Sequence, residues 1–81
     1  MRIIGEIPHP SCKISIFYMN QKYIVKFEKG HMEQSYKISE LDYVIAGLED
    51  INKAINSDFI NAVVARFEQM EKDLHLALKD F

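Results

Sequence analysis

The sequence contains few of the residues that cross-link or interrupt a small domain. Its 81 residues include one cysteine, Cys12, two prolines, three glycines and no tryptophan. A lone cysteine excludes an intrachain disulfide and is typical of a reducing compartment, so we expect a cytoplasmic protein. No run is long and apolar enough to cross a bilayer, and the apolar run in residues 1–7 is too short for a signal peptide. We therefore expect no membrane partner.

The composition is that of a folded chain, with 48% hydrophobic and 27% charged residues. At this length we expect a single domain, residues 1–81, with a small core. The net charge of -2 disfavours a dedicated nucleic-acid binder. Residues 1–38 hold six basic and three acidic side chains, a charge of +3, whereas residues 39–81 hold four and nine, a charge of -5. Halves of opposite charge attract each other or a second copy of the chain.

The apolar pattern changes its period near residue 39, from two residues to about 3.6. This predicts an α+β fold, with a sheet in residues 1–38 followed by helices in residues 39–81. Residues 13–19, 22–28 and 32–38 alternate as antiparallel strands do. Two-residue turns between them, the first at Asn20 and Gln21 and the second at Gly30 and His31, predict a meander.

The predicted register places Ile16 opposite Val25, and Tyr36 opposite Val25 on its other side. Residues 2–7 are the candidate for a fourth strand, which Pro8 and Pro10 end. The fold is therefore expected to be a three- or four-stranded antiparallel meander followed by two amphipathic helices packed on one face. The predicted buried face of the sheet consists of Ile14, Ile16, Tyr18, Tyr23, Val25, Phe27, Tyr36 and Ile38.

The first predicted helix begins at Ser39, an N-cap type of residue with Asp42 three positions on. It continues to Asn56 and is weakened in its middle by Gly47. Its apolar side would consist of Leu41, Val44, Ile45, Leu48, Ile51 and Ile55.

The second predicted helix runs from Asp58 almost to Phe81, with Ser57 or Asp58 as its N-cap. Its length of about 35 Å exceeds that of the strands, about 23 Å. The last turns are therefore expected to extend past the core. Its apolar stripe consists of Phe59, Ile60, Val63, Val64, Phe67, Met70, Leu74, Ala77, Leu78 and Phe81.

This stripe has two interpretations. Helical apolar stripes are usually core, but the C-terminal part of this one extends beyond the expected core. We therefore predict a homodimer or a protein partner at this helix, and a frayed C-terminus is the third alternative. The candidate interface residues are Phe67, Met70, Leu74, Leu78 and Phe81.

No catalytic or metal motif emerges from the spacing of the polar residues. His9 and Cys12 lack the second ligand pair that a zinc site needs. Glu71 and His75 lie one helical turn apart, which is typical of an exposed ion pair and only weakly suggestive of acid–base chemistry. We therefore predict a non-enzymatic protein with no cofactor and no metal.

Nucleic-acid binding is the alternative function. The outer face of the predicted sheet carries Lys13, Phe17, Lys26 and Lys37, and lysines around an aromatic ring are typical of surfaces that hold a backbone and stack a base. Three strands followed by a helix also resemble small domains that read DNA with a three-stranded sheet, an analogy of fold alone. Glutamates on the same face count against it. The favoured hypothesis is an interaction module that self-associates through its C-terminal helix.

Overall fold

The computed structural model describes residues 2–81 as one antiparallel sheet followed by two helices. The strands pair in the order β1-β2-β3-β4, and residues of both helices join the apolar cluster on one face of the sheet. The predicted α+β meander is confirmed, and residues 2–7 form its fourth strand. The elements are β1 Arg2–Ile7, β2 Lys13–Met19, β3 Lys22–Lys29, β4 Met32–Ser39, α1 Leu48–Ala54 and α2 Ser57–Leu78.

Both predicted hairpin turns and their registers are confirmed. Ile16 pairs with Val25, and Tyr36 lies on the other side of Val25. Asn20 and Gln21 have φ angles of 52° and 61°. A two-residue turn whose twist matches that of the strands needs a positive φ at both positions. The local turn chemistry thus sets which side chains face the core.

The edge strand β1 is irregular where it meets the first helix. Its register against β2 shifts between Ile3 and Gly5, so Ile4 is the extra residue of a bulge. A Cβ atom at Gly5 would lie 3.1 Å from Leu48 Cδ1. Glycine is therefore what allows α1 to approach β1 closely.

The core lies between the inner face of the sheet and the two helices. Phe59 bridges the layers, with its ring centroid 5.8 Å from that of Phe27 and 5.2 Å from that of Tyr36. Of the predicted buried face, Tyr18, Tyr36 and Ile38 are half-buried and pack against the cluster. The buried core consists of Cys12, Ile14, Ile16, Tyr23, Val25, Phe27, Ile51, Ile55, Ile60, Val63 and Phe67.

The predicted start of the first helix is wrong, because α1 begins at Leu48 and not near Ser39. Strand β4 continues to Ser39, and the next residue, Glu40, donates its backbone N–H to the Gln21 carbonyl at 3.0 Å. The Ser39 hydroxyl accepts a hydrogen bond from the backbone of Leu41, which forms a turn and not a helix cap. Sheet pairing at the end of β4 therefore prevails over the local helical pattern.

The second helix starts one position before the predicted one. Its N-cap is Asn56, whose side chain accepts a hydrogen bond from the Phe59 backbone N–H at 3.0 Å. Neither Ser57 nor Asp58 caps the helix. Both lie in its first turn, where the charge of Asp58 is favourable to the helix dipole.

Candidate interaction surface

The first half of α2 is fixed along strand β4 by side-chain hydrogen bonds. Gln34 Nε2 donates to the Val63 carbonyl at 2.9 Å. Arg66 Nε donates to Gln34 Oε1 at 3.2 Å, and its Nη2 donates to the Tyr36 hydroxyl at 3.1 Å. These bonds join the exposed edge of the helix to the strand while Val63 and Phe67 fill the core beneath. They fix the direction in which the helix continues.

Beyond Phe67 the helix leaves the sheet. Phe67 is fully buried and Met70 is half-buried, but every residue from 71 to 81 is exposed. We call residues 71–81 the overhang. The molecule is accordingly elongated, with extents of 48, 24 and 20 Å.

The overhang carries apolar side chains on the same side of the helix that packs on the sheet. At about 100° per residue, Leu74 and Leu78 lie within about 20° of the direction of Phe67, and Phe81 follows three residues after the helix ends at Leu78. Their exposed fractions are 39%, 51% and 101%. Leu76 projects from the opposite side and is 64% exposed. The core-forming stripe therefore continues into solvent.

The structure separates the five predicted interface residues into two groups. Phe67 belongs to the core of the chain itself, and Met70 packs against that core from its edge. Leu74, Leu78 and Phe81 are free of the core. At the junction, a hollow of about 350 Å³ opens beside Phe67. It is lined by Lys29, Met32, Phe67, Glu68, Glu71 and Lys72.

A second apolar surface was not predicted from the sequence. The connection from β4 to α1 exposes Leu41, Tyr43 and Val44, with exposed fractions of 84%, 62% and 104%. Beside it, a groove of about 690 Å³ runs between β4 and both helices. The helical pattern placed Leu41 and Val44 on a buried side, so only the observed end of β4 reveals their exposure.

The outer face of the sheet brings Phe17 and Lys26 together and pairs lysines with glutamates. Lys26 Nζ lies 5.8 Å from the centroid of the Phe17 ring and 3.6 Å from Glu33 Oε1. Lys13 is opposite Glu28 across the β2–β3 ladder. Lys26 thus covers one side of the ring and is itself partly neutralised.

The remaining lysine of the predicted nucleic-acid surface, Lys37, is exposed on β4 opposite Ile24. Ile24 is buried, and Ile3 of β1 pairs with Phe17. The centre of this face is therefore an apolar strip across three strands, with Lys37 at one side. The sequence predicted Phe17 among lysines on this face, and the structure adds Ile3 and Ile24 beside it.

The residues considered for chemistry fall in two places: His9 and Cys12 line a hollow beside the connection from β1 to β2, and Glu71 and His75 lie on the overhang. His9 Nδ1 accepts a hydrogen bond from the Ser11 backbone N–H at 3.1 Å, and Glu71 and His75 are both exposed. Burial raises the pKa of the Cys12 thiol, partly offset by Lys29, so the thiolate form is disfavoured. Within residues 2–81, no three His, Cys, Asp or Glu side chains are grouped as metal ligands would be. Neither α1 nor α2, as far as residues 2–81 show, combines the length and apolar character needed to span a membrane.

Comparison with known proteins adds no family to this picture. No protein-family model matches the chain, and searches of the curated proteins and of the solved structures found no match.

Proposed function

We propose that this protein is a non-enzymatic interaction module that self-associates through the overhang of α2. The observation that supports this most is the exposure of Leu74 and Leu78 on a helix that is fixed at its base, with Phe81 exposed three residues past its end. Large apolar side chains grouped on one exposed side are typical of protein contacts. Because hydrogen bonds to β4 hold the base of the helix, the overhang presents them in a defined direction.

The gain from burying these side chains is of the size that association needs. Full burial of a large apolar side chain is worth about 1.5–3 kcal/mol. Two copies contribute six such side chains, some already partly covered, against an association cost of about 4–15 kcal/mol. Because the gain and the cost are of similar size, we expect a weak pair whose population rises with protein concentration.

The opposite charges of the two halves of the chain favour the same proposal. The overhang belongs to the acidic half, and the sheet belongs to the basic half. The overhang itself holds three acidic and two basic side chains, a charge of -1, so its share of the attraction between these halves is small. We further propose that the module acts in the cytoplasm, which the single buried cysteine supports.

Nucleic-acid binding by the outer sheet face stays a prediction. No specific observation favours it, because Lys13 faces Glu28 and Lys26 contacts Glu33. Phe17, the ring expected to stack a base, is half-buried and covered on one side by Lys26.

Substitution of Leu74 by glutamate tests self-association. The wild-type chain should show a solution mass that rises with concentration towards twice 9.5 kDa. Leu74→Glu should remain at the mass of one chain, because a charge replaces the apolar side chain at the contact. Light scattering or sedimentation over a wide concentration range measures this mass.

The matched control is Leu76→Glu, which adds the same charge to the same overhang on the side away from the stripe. It should self-associate as the wild type does, and at a concentration where all three proteins are single chains both variants should keep the wild-type melting temperature. A wild-type chain that stays at 9.5 kDa, or a Leu74→Glu variant that pairs normally, contradicts the proposal. Phe67→Glu is unsuitable for this purpose, since it places a charge in the core.

A further inference from the structure

The way the overhang continues from the core limits how two copies pair. Its apolar side is the side on which the same helix packs against its own sheet. In a parallel pair, the two apolar sides face each other over their whole length, and both sheets would occupy the space between the helices. In an antiparallel pair, the sheets lie at opposite ends and only the overhangs overlap. Sterics therefore select the antiparallel arrangement.

The end of the sheet also sets the register. A partner helix that lies against the overhang can advance only until it meets the sheet, beside Phe67 and Met32. Read in reverse about Leu74, the stripe matches itself, since Met70 falls opposite Leu78, and Phe81 is as many residues from Leu74 as Phe67 is. Leu74 then faces its own copy. The symmetry of the stripe about Leu74 and the steric block at the end of the sheet therefore predict the same register for the pair.

From this geometry we propose an antiparallel two-fold pair centred on Leu74, in which Phe81 of each copy enters the hollow beside Met32 of the other. The occupant of this hollow is thus a second copy of the chain, and the proposal rests on the self-association proposed above. Phe81 is 101% exposed, and the hollow measures about 350 Å³.

The buried area agrees with this arrangement. Two aromatic rings bury roughly 300–500 Å² of the roughly 1,000 Å² that a specific interface needs. Leu74, Leu78 and Met70 from both copies supply further area.

Disulfide cross-linking tests the register, because Cys12 is the only native cysteine and Cys12→Ser removes it. In that background Leu74→Cys should cross-link to itself under mild oxidation. Met70→Cys alone should not, because its two copies are separated by about 12 Å along the axis at about 1.5 Å per residue. Leu78→Cys alone should fail for the same reason. A mixture of Met70→Cys and Leu78→Cys chains should form the mixed disulfide.

The solution mass of each variant, measured before oxidation, separates the two proposals. If the chains pair and Met70→Cys cross-links to itself as readily as Leu74→Cys does, the helices are parallel. This result overturns the antiparallel register but leaves self-association standing. A pair in which none of these positions cross-links uses another surface and also overturns it. Chains that remain single at every concentration overturn both proposals. The Leu76→Cys variant, on the opposite side of the helix, should not cross-link and controls for random collision.

Discussion

The contact between Tyr18 and Glu40 closes the end of the first hairpin. The Tyr18 hydroxyl donates a hydrogen bond to the Glu40 carboxylate, and this bond raises the pKa of Tyr18. A raised pKa in the folded state means that the neutral phenol stabilises the fold. The stabilisation is fully present below the ordinary pKa of tyrosine and is lost as the pH rises through the folded-state value.

Replacement of Glu40 by alanine should lower the pKa of Tyr18 towards its ordinary value. The substitution removes both the hydrogen-bond acceptor and the nearby negative charge that disfavour the phenolate. NMR titration of the tyrosine ring signals measures the shift. Glu49→Ala, which removes an exposed glutamate from α1, should leave the Tyr18 titration as it is. A Tyr18 pKa that is the same in all three proteins would contradict this contact.

At the scale of elements, the segment before α1 is where sequence and structure disagree. A helix starting at Ser39 would contain Gly47 in its middle, and Gly47→Ala would then stabilise it by about 1 kcal/mol. In the structure Gly47 is the N-cap of α1 with φ at 156°, a conformation that side chains rarely adopt. The two interpretations predict opposite signs for one substitution.

We therefore expect Gly47→Ala to destabilise the protein, by about 1–3 kcal/mol, since alanine at this φ is strained. Urea denaturation followed by circular dichroism measures the change in the free energy of unfolding. Ala54→Gly, at the end of α1, is the control for an ordinary helical position and should cost no more than about 1 kcal/mol. A stabilised Gly47→Ala variant would show that the helix extends towards Ser39.

The sheet was predictable because its determinants are local. A two-residue turn and a strict alternation fix the pairing of β2, β3 and β4, and each side chain then falls on a known face. The start of α1 was not predictable in this way. Leu41 and Val44 follow a helical pattern, but the hydrogen bond from Glu40 to Gln21 and the contact with Tyr18 extend the sheet into that segment. Such contacts join residues about 20 positions apart, beyond the range of a helical pattern.

The candidate surface was predictable only in part, for a similar reason. Comparison of helix length with strand length predicts that Leu74, Leu78 and Phe81 pass the sheet, and they are exposed in the structure. The same comparison cannot locate the last core residue. Phe67 was therefore grouped with the interface, although it fills the core. The exposure of Leu41 and Val44 could be recognised only from the observed end of β4.

At the scale of the whole molecule, the core is complete without the overhang. The buried cluster ends at Phe67, with Met70 at its edge, while residues 71–81 contribute only exposed side chains. A chain that ends after Glu71 should therefore fold, with a melting temperature close to that of the full chain, and should be a single chain at all concentrations. Circular dichroism and sedimentation measure these two properties.

The control for this truncation is a chain that ends after Ala65, which also loses Phe67. Removal of a fully buried phenylalanine costs about 3–5 kcal/mol, a large share of the stability of so small a domain. This chain should be unfolded or strongly destabilised. If the chain that ends after Glu71 also unfolds, then the overhang supports the core in a way that the structure does not show.

The overhang has little protection against local opening, because none of its 11 residues is buried. In a single chain its last turn opens at a small cost in free energy, and the amide hydrogens there exchange quickly with solvent. A second copy that covers Leu74 and Phe81 makes the same opening expensive. Whether the overhang is ordered therefore depends on the protein concentration. Its amide hydrogens should exchange quickly in single chains and slowly in pairs, so their exchange rate reports the local concentration of the protein.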